Sequence, residues 1–299
     1  MEASCFSPSK YFSKILYLAP SLKPKLSKQK RRIGLGLTVT GAPSSSITCC
    51  SVGGESTGES ADSIIQSDWR SFRAKLVASE HVLNHTSLTT PLSAELVNQT
   101  LPPPKLSNKW AHSLHEPEKG CLLVATDKLD GVHIFERTVI LLLSMGPLSA
   151  MGVILNRPSL MSIKETRSVI LDAASTFSSR PLFFGGPLED GIFLVAPEEN
   201  DGDIGKSGVF EEVMKGLYYG TKESVGCASE MVKRDMVGIQ EFRFFDGYCG
   251  WATEKLREEV RAGFWRVVAC SPSVIGPAST EQGGLWEEVL GLVGERKVW

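Results

Sequence analysis

From about residue 120 onward, apolar residues come in short, dense runs separated by polar or Gly/Pro-bearing stretches. The runs at 121–126, 138–143, 151–155, 181–184, 192–196, 213–219, 241–245 and 264–269 have strand length and are too short for helices. Helical spacing interrupts them. Ser162 with Glu165 three residues later forms a capping-box signature, and Ile163, Ile170, Ala173, Ala174 and Phe177 continue on one face. Segments 223–236 and 253–262 are also expected to be helical. In the second, Glu254–Arg257 and Glu258–Arg261 make favourable i,i+3 pairs and Gly263 stands at the C′ position. A short amphipathic helix at 285–293 closes the chain. Neighbouring runs are often only a few residues apart (Leu143 to Met151, Phe184 to Ile192), which favours hairpins over crossovers. The expected class is α+β, with a mostly antiparallel sheet in one domain over 117–299.

Ahead of this core the pattern weakens. Trp69, Phe72, Leu76 and Val77 recur at helical spacing with cations between them, which predicts an amphipathic helix near 68–80 packed by its apolar stripe onto its own domain. Around it, 51–116 reads as a linker, stiffened by Pro102-Pro103-Pro104. Charge divides the chain further. The first 54 residues carry eight Lys and Arg against the single acid Glu2; the remainder carries 24 basic against 33 acidic residues, a net −9. A Ser-rich, cationic, acid-poor front end has the composition of an organelle transit peptide. Its Ser content favours the plastid, and Ile47-Thr48-Cys49-Cys50 resembles a stromal processing site. Residues 1–50 are therefore expected to be a leader, and the mature protein to reside in the chloroplast stroma. No run approaches the roughly 18 apolar residues of a membrane-spanning helix.

Candidate chemistry is sparse. All five histidines precede residue 134, and only His133 is expected inside the core, so an imidazole-based nucleophilic hydrolase is disfavoured. The seven cysteines show no C-x-x-C pair, which speaks against a zinc knuckle or a dithiol centre. Gly205-Lys206-Ser207 resembles the end of a phosphate-binding loop, but the required upstream glycine is Asn200. The acidic run from Glu198 to Asp203 lacks the terminal Glu of a calcium loop, Gly208 standing in its place. No catalytic residue, metal site or cofactor is assigned. A net −9 opposes polyanion binding unless cations cluster, and the one cluster, Arg70, Arg73 and Lys75, lies outside the core.

What remains are Gly-rich turns carrying a cation or aromatics. Asn156-Arg157-Pro158 ends one strand, Gly185-Gly186-Pro187 a second, and Gly247-Tyr248-Cys249-Gly250-Trp251 leaves a third for the helix at Thr253. Converging, they would make a pocket from Asn156, Arg157, Gly185, Gly186, Tyr248 and Trp251, with Arg157 as anion receptor; otherwise the glycines shape the backbone and Trp251 fills core. These motifs carry a resemblance. With Gly120-Cys121-Leu122-Leu123-Val124-Ala125, Phe135-Glu136-Arg137-Thr138-Val139-Ile140 and Gly152-Val153-Ile154-Leu155, the chain resembles the AlgH (YqgE-type) family in its plant branch. The resemblance implies a compact α+β fold with a barrel-like or bifurcated sheet flanked by helices. It implies no established activity; bacterial members are described as candidate regulators. Cys249 departs from the small Ala or Ser usual in bacterial members, which makes it a candidate redox thiol. Thr253 lies in a stretch that more often contains Pro.

The function expected from these features is non-catalytic, acting through a small anionic ligand or a protein partner, with no nucleic acid and no membrane span. Two alternatives are an enzyme without His, using carboxylates or Cys249, and a regulator meeting RNA or DNA through the Arg70–Lys75 helix.

Overall fold

The computed structural model describes residues 69–86, 106–163, 176–198, 202–276 and 284–294, all within one compact unit. The expected leader and most of the expected 162–177 helix lie outside the described residues. Among the described residues eleven strands form the sheet: β1 (Ala111–Leu114), β2 (Leu122–Ala125), β3 (Val139–Met145), β4 (Ser149–Ile154), β5 (Pro158–Ser162), β6 (Pro181–Phe184), β7 (Leu188–Pro197), β8 (Glu211–Met214), β9 (Leu217–Thr221), β10 (Arg243–Ala252) and β11 (Trp265–Cys270). Their order is β1-β11-β2-β3-β4-β10-β7-β9-β8, with a side branch in which β6 pairs β10 and β5 pairs β6. Every pairing is antiparallel except β6 with β10. The class is α+β, and the sheet is a curled, antiparallel half-barrel.

The apolar runs are nearly continuous because both faces of the sheet are covered. Leu122, Val124, Val139, Leu141 and Leu143 point to the concave side, where they meet helices α5 (Pro272–Ile275) and α6 (Leu285–Leu292) through Val274, Leu285, Trp286 and Val289. Alternate residues Leu123, Ile140 and Leu142 point outward and pack with Leu256 of helix α4 (Thr253–Arg261). Further along, Leu194 and Phe244 face Ala228 and Met231 of helix α3 (Val225–Lys233). A strand buried on two faces has no polar positions to alternate with.

Four sequence expectations are corrected. The 213–219 run is two strands, β8 and β9, because Lys215-Gly216 turns the chain and Gly216 takes a φ of +80°. Residues 247–252 are the second half of β10 rather than a turn. The connector contains a strand, β1, whose His112 is buried, whereas His133 is exposed, so a histidine expected outside the core lies inside the fold and the one expected inside does not. Finally, Glu198 is not merely solvated: its carboxylate accepts the Ile204 and Gly205 N–H groups (2.8 Å each) at the start of the short helix α2 (Asp203–Lys206).

Candidate functional site

Strand β10 is the axis of the fold. Its C-terminal half pairs with β4 (Cys249 opposite Gly152) and its N-terminal half with both β6 and β7. Where the neighbour changes from β4 to β6 the sheet forks, and Gly185 stands in the fork. Its N–H donates to the Asp246 carbonyl (2.7 Å), and its own carbonyl accepts the Ile154 N–H (2.8 Å) and the Cys249 thiol (Sγ–O 3.7 Å). A β-bulge between Asp246 and Tyr248 re-aims the strand, so that Phe245 faces the concave core while Cys249 and Trp251 face α4. Gly185 and Gly186 therefore meet Gly247 and Tyr248 by direct backbone contact. A Cβ on Gly185 would lie 2.2 Å from the Gly247 oxygen, and one on Gly186 2.2 Å from the Tyr248 carbonyl carbon.

Asn156 and Arg157 serve a neighbouring turn. The Asn156 side chain accepts the Val139 N–H (3.0 Å) and donates to the Arg137 carbonyl (2.8 Å), while the Arg157 guanidinium donates to the Glu136 carbonyl. Together they hold the 136–139 backbone, in which Arg137 adopts a left-handed φ of +50° and lays its guanidinium 5.6 Å from the Trp286 ring centre. This pair acts as a latch on the turn, and the Arg157 group identified as an anion receptor already donates to a carbonyl.

Cys249 is fully buried; desolvation, reinforced by the Glu259 charge, pushes its thiol well above the ordinary range. Burial likewise drives Cys121 and Cys270 up to about 12. Thiols so placed are core groups with little thiolate near neutral pH.

The unusual chemistry lies in two residues that pattern reasoning did not single out as a site. Glu259 on α4 is only 5% exposed. Its Oε2 accepts the indole N–H of Trp265 (2.8 Å) and of Trp251 (3.2 Å), while Oε1 is buried without a partner. Burial raises its carboxyl above the usual range, against the opposing pull of the two indoles and Lys255. A carboxyl that holds its proton more tightly when folded stabilises the fold fully below its unfolded-state pKa, and that stabilisation is lost as pH rises through the folded value. Glu259→Gln keeps an oxygen for the indoles and cannot ionise. The melting temperature of the variant minus that of the wild type should therefore increase with pH above about 4.5 and then level off. A difference constant from about pH 4 to about pH 8 would mean that Glu259 ionises as freely folded as unfolded.

Arg243, at the other end of β10, is 4% exposed. Its guanidinium donates to the carbonyls of Leu155 (2.9 Å) and Ile275 (3.0 Å) and lies over the rings of Phe183 and Phe245, 4.7 and 5.3 Å from their centres. Among the described residues no carboxylate faces it, and desolvation lowers its pKa to about 10, so it remains charged at neutral pH. Carbonyl dipoles and ring faces take the place of a counter-ion. The signal in the sequence is a lone Arg inside the apolar run Phe242-Arg243-Phe244-Phe245.

Helix α1 (Trp69–Thr86) inverts the expected amphipathic logic. It docks by Ala74 and by its arginines. Arg73 grips Glu118 with two bonds (2.6 and 3.2 Å), and Arg70 donates to the Lys119 and Gly120 carbonyls and lies 3.4 Å from Glu118. The stripe expected to pack inward points outward: Trp69, Phe72 and Leu76 are 64%, 39% and 49% exposed, with the two rings 5.8 Å apart. Two of the three cations invoked for nucleic-acid binding are thus engaged with the protein's own backbone and Glu118.

A UPF0301 protein of Chlorobium luteolum is 28% identical over 174 residues, covering 57% of this chain and 83% of the relative. Among solved structures, a protein from Corynebacterium diphtheriae is 25% identical with a TM-score of 0.49, covering 58% of this chain and 86% of that one. The solution structure of the AlgH protein from Pseudomonas aeruginosa is 20% identical with a TM-score of 0.45, covering 60% and 89%. The family model described as DUF179, AlgH-like, matches residues 122–297, beginning with β2 and including α6, and the chain therefore belongs to the AlgH-like family.

Proposed function

We propose that this chain is a non-catalytic protein of the plastid stroma that works by binding a protein partner through the outward face of α1. The observation that carries this reading is the aromatic stripe itself. Three large apolar side chains at one helical face are held out to solvent by a helix fastened on its opposite face. A small anionic ligand is less well supported, since the fork glycines fill one another's space and Arg157 serves the Glu136 carbonyl. Catalysis through Cys249 would require a thiolate that its surroundings oppose. Stromal location is supported by the Ser-rich, cationic front end.

Import into isolated plastids tests both halves of the proposal. The full chain should be processed, recovered in the stroma and migrate on native gels in an assembly larger than the monomer. The Trp69→Ala, Phe72→Ala, Leu76→Ala triple variant should be imported and processed equally and migrate as the monomer. Equal migration of the two proteins removes the binding proposal; failure of import removes the location.

A further inference from the structure

The stripe on α1 has a period that specifies more than an apolar face. Trp69, Phe72, Leu76 and Ser79 are spaced by three, four and three residues, the a-d-a-d positions of a heptad. In that frame Arg70 and Val77 are b positions, Ala78 is a c position and Ala74 is f. Ala74 is buried against the domain, and Arg70 is tied to the carbonyls of Lys119 and Gly120. Arg73, at an e position, also turns inward to Glu118, so the docked side runs from that flank through b to f, and the a/d seam is left open. Of the flanking positions, Arg73 at e is spent on Glu118, while Lys75 at g and Glu80 at e carry opposite charges and are exposed.

We propose that two copies of this chain pair along α1 as a parallel, two-fold symmetric coiled coil. Trp69, Phe72 and Leu76 form the seam, and Lys75 of each copy meets the partner's Glu80. This names the partner within the binding role proposed above and rests on it. The charges select both the occupant and the orientation. In a parallel pair, opposite flanks face each other, and a g residue meets the e residue five positions further on in the partner helix. Lys75 and Glu80 have that separation. In an antiparallel pair, like flanks face each other, which brings Lys75 toward Lys75 and Glu80 toward Glu80. Two further features fit. The hydroxyl of Ser79, a polar group in the seam, already donates to the Lys75 carbonyl (2.8 Å), so burying it leaves no unsatisfied donor. The helix is also formed and anchored before pairing, which removes much of the ordering cost of a seam only 18 residues long. With each domain fastened to the side away from the seam, the interface closes on itself as a dimer.

Sedimentation of the purified full chain from about 1 to about 100 µM tests the pairing. The wild type should pass from monomer to dimer over this range. Lys75→Glu or Glu80→Lys alone should weaken the dimer about tenfold, because each dimer loses both cross-pairs and gains two repulsions. The Lys75→Glu, Glu80→Lys double variant should recover nearly wild-type association, and Phe72→Asp should remain monomeric throughout. All three positions changed are exposed, and an unchanged melting temperature of the monomer verifies the fold. A wild type that stays monomeric, single variants that associate like the wild type, or a double variant no better than the singles would each overturn the parallel pairing. A monomeric purified chain whose plastid assembly still depends on Trp69, Phe72 and Leu76 would refute the second copy as partner and leave the binding role standing.

Discussion

Replacing Gly185 by alanine is expected to cost about 4 kcal/mol or more, enough to leave a domain of ordinary stability largely unfolded at 37 °C. The reason is the fork. Beside β10, β6 gives way to β4 between Asp246 and Cys249, and the backbone of Gly185 is bonded on both sides, to Asp246 and to Ile154. The added methyl would sit 2.2 Å from the Gly247 oxygen and 3.1 Å from the Phe245 Cβ. A clash with a flexible side chain could relax; a clash with backbone held in the sheet must break hydrogen bonds. Gly247→Ala should be comparably severe, since a Cβ there lies 2.5 Å from the Gly186 oxygen and the residue has a φ of +73°. Gly226 is the control. It lies in α3, with nothing within 4 Å of an added Cβ, so Gly226→Ala should be neutral or stabilise by up to about 1 kcal/mol. Urea unfolding of the three variants measures this. A Gly185→Ala protein melting within a few degrees of the wild type would mean that the fork is much looser than described.

The second large effect is expected at Arg243. Truncation to alanine leaves the Leu155 and Ile275 carbonyls buried without donors and opens a cavity between Phe183 and Phe245, for a combined loss of about 4 kcal/mol. Arg243→Met refills most of that volume and removes a desolvated cation, so only the orphaned carbonyls count against it, about 2 kcal/mol. Arg243→Lys keeps the charge but loses the planar fork that reaches two carbonyls while lying on two rings. The ordering Ala worse than Met separates packing from hydrogen bonding. Equal losses for Ala and Met would assign the whole effect to the two carbonyls. Denaturant midpoints at constant slope supply the comparison.

Most strands were legible because a sheet buried on both faces writes itself as unbroken apolar runs: 139–143 and 192–196 lie within strands almost as the pattern placed them. The helix at 253–262 was legible from its paired charges and its C′ glycine, which takes a φ of +77°. Other parts were not. A strand like β1 carries no run of its own, because His112 and Ser113 acquire their places only through pairing with β11. The 247–252 segment looked like a turn because its glycines suggest one, yet Gly247 serves a bulge within a continuing strand. The Asn156–Arg157 pair was visible as a motif, but its use as a latch depends on a backbone turn 17 to 21 residues away in sequence.

The amino-acid order by itself determined the class of the fold and the family resemblance. These follow from local periodicity, composition and short motifs, which need no knowledge of distant partners. Tertiary structure decided which faces point where. An amphipathic helix turns its aromatic side outward because two arginines find Glu118 and two carbonyls inward. A carboxylate is hidden because two indoles from separate strands converge on it, and three glycines are required because backbones cross. Each outcome depends on contacts between segments far apart in the chain. Their free energies are set by burial and hydrogen bonding at the meeting point and are absent from either segment alone.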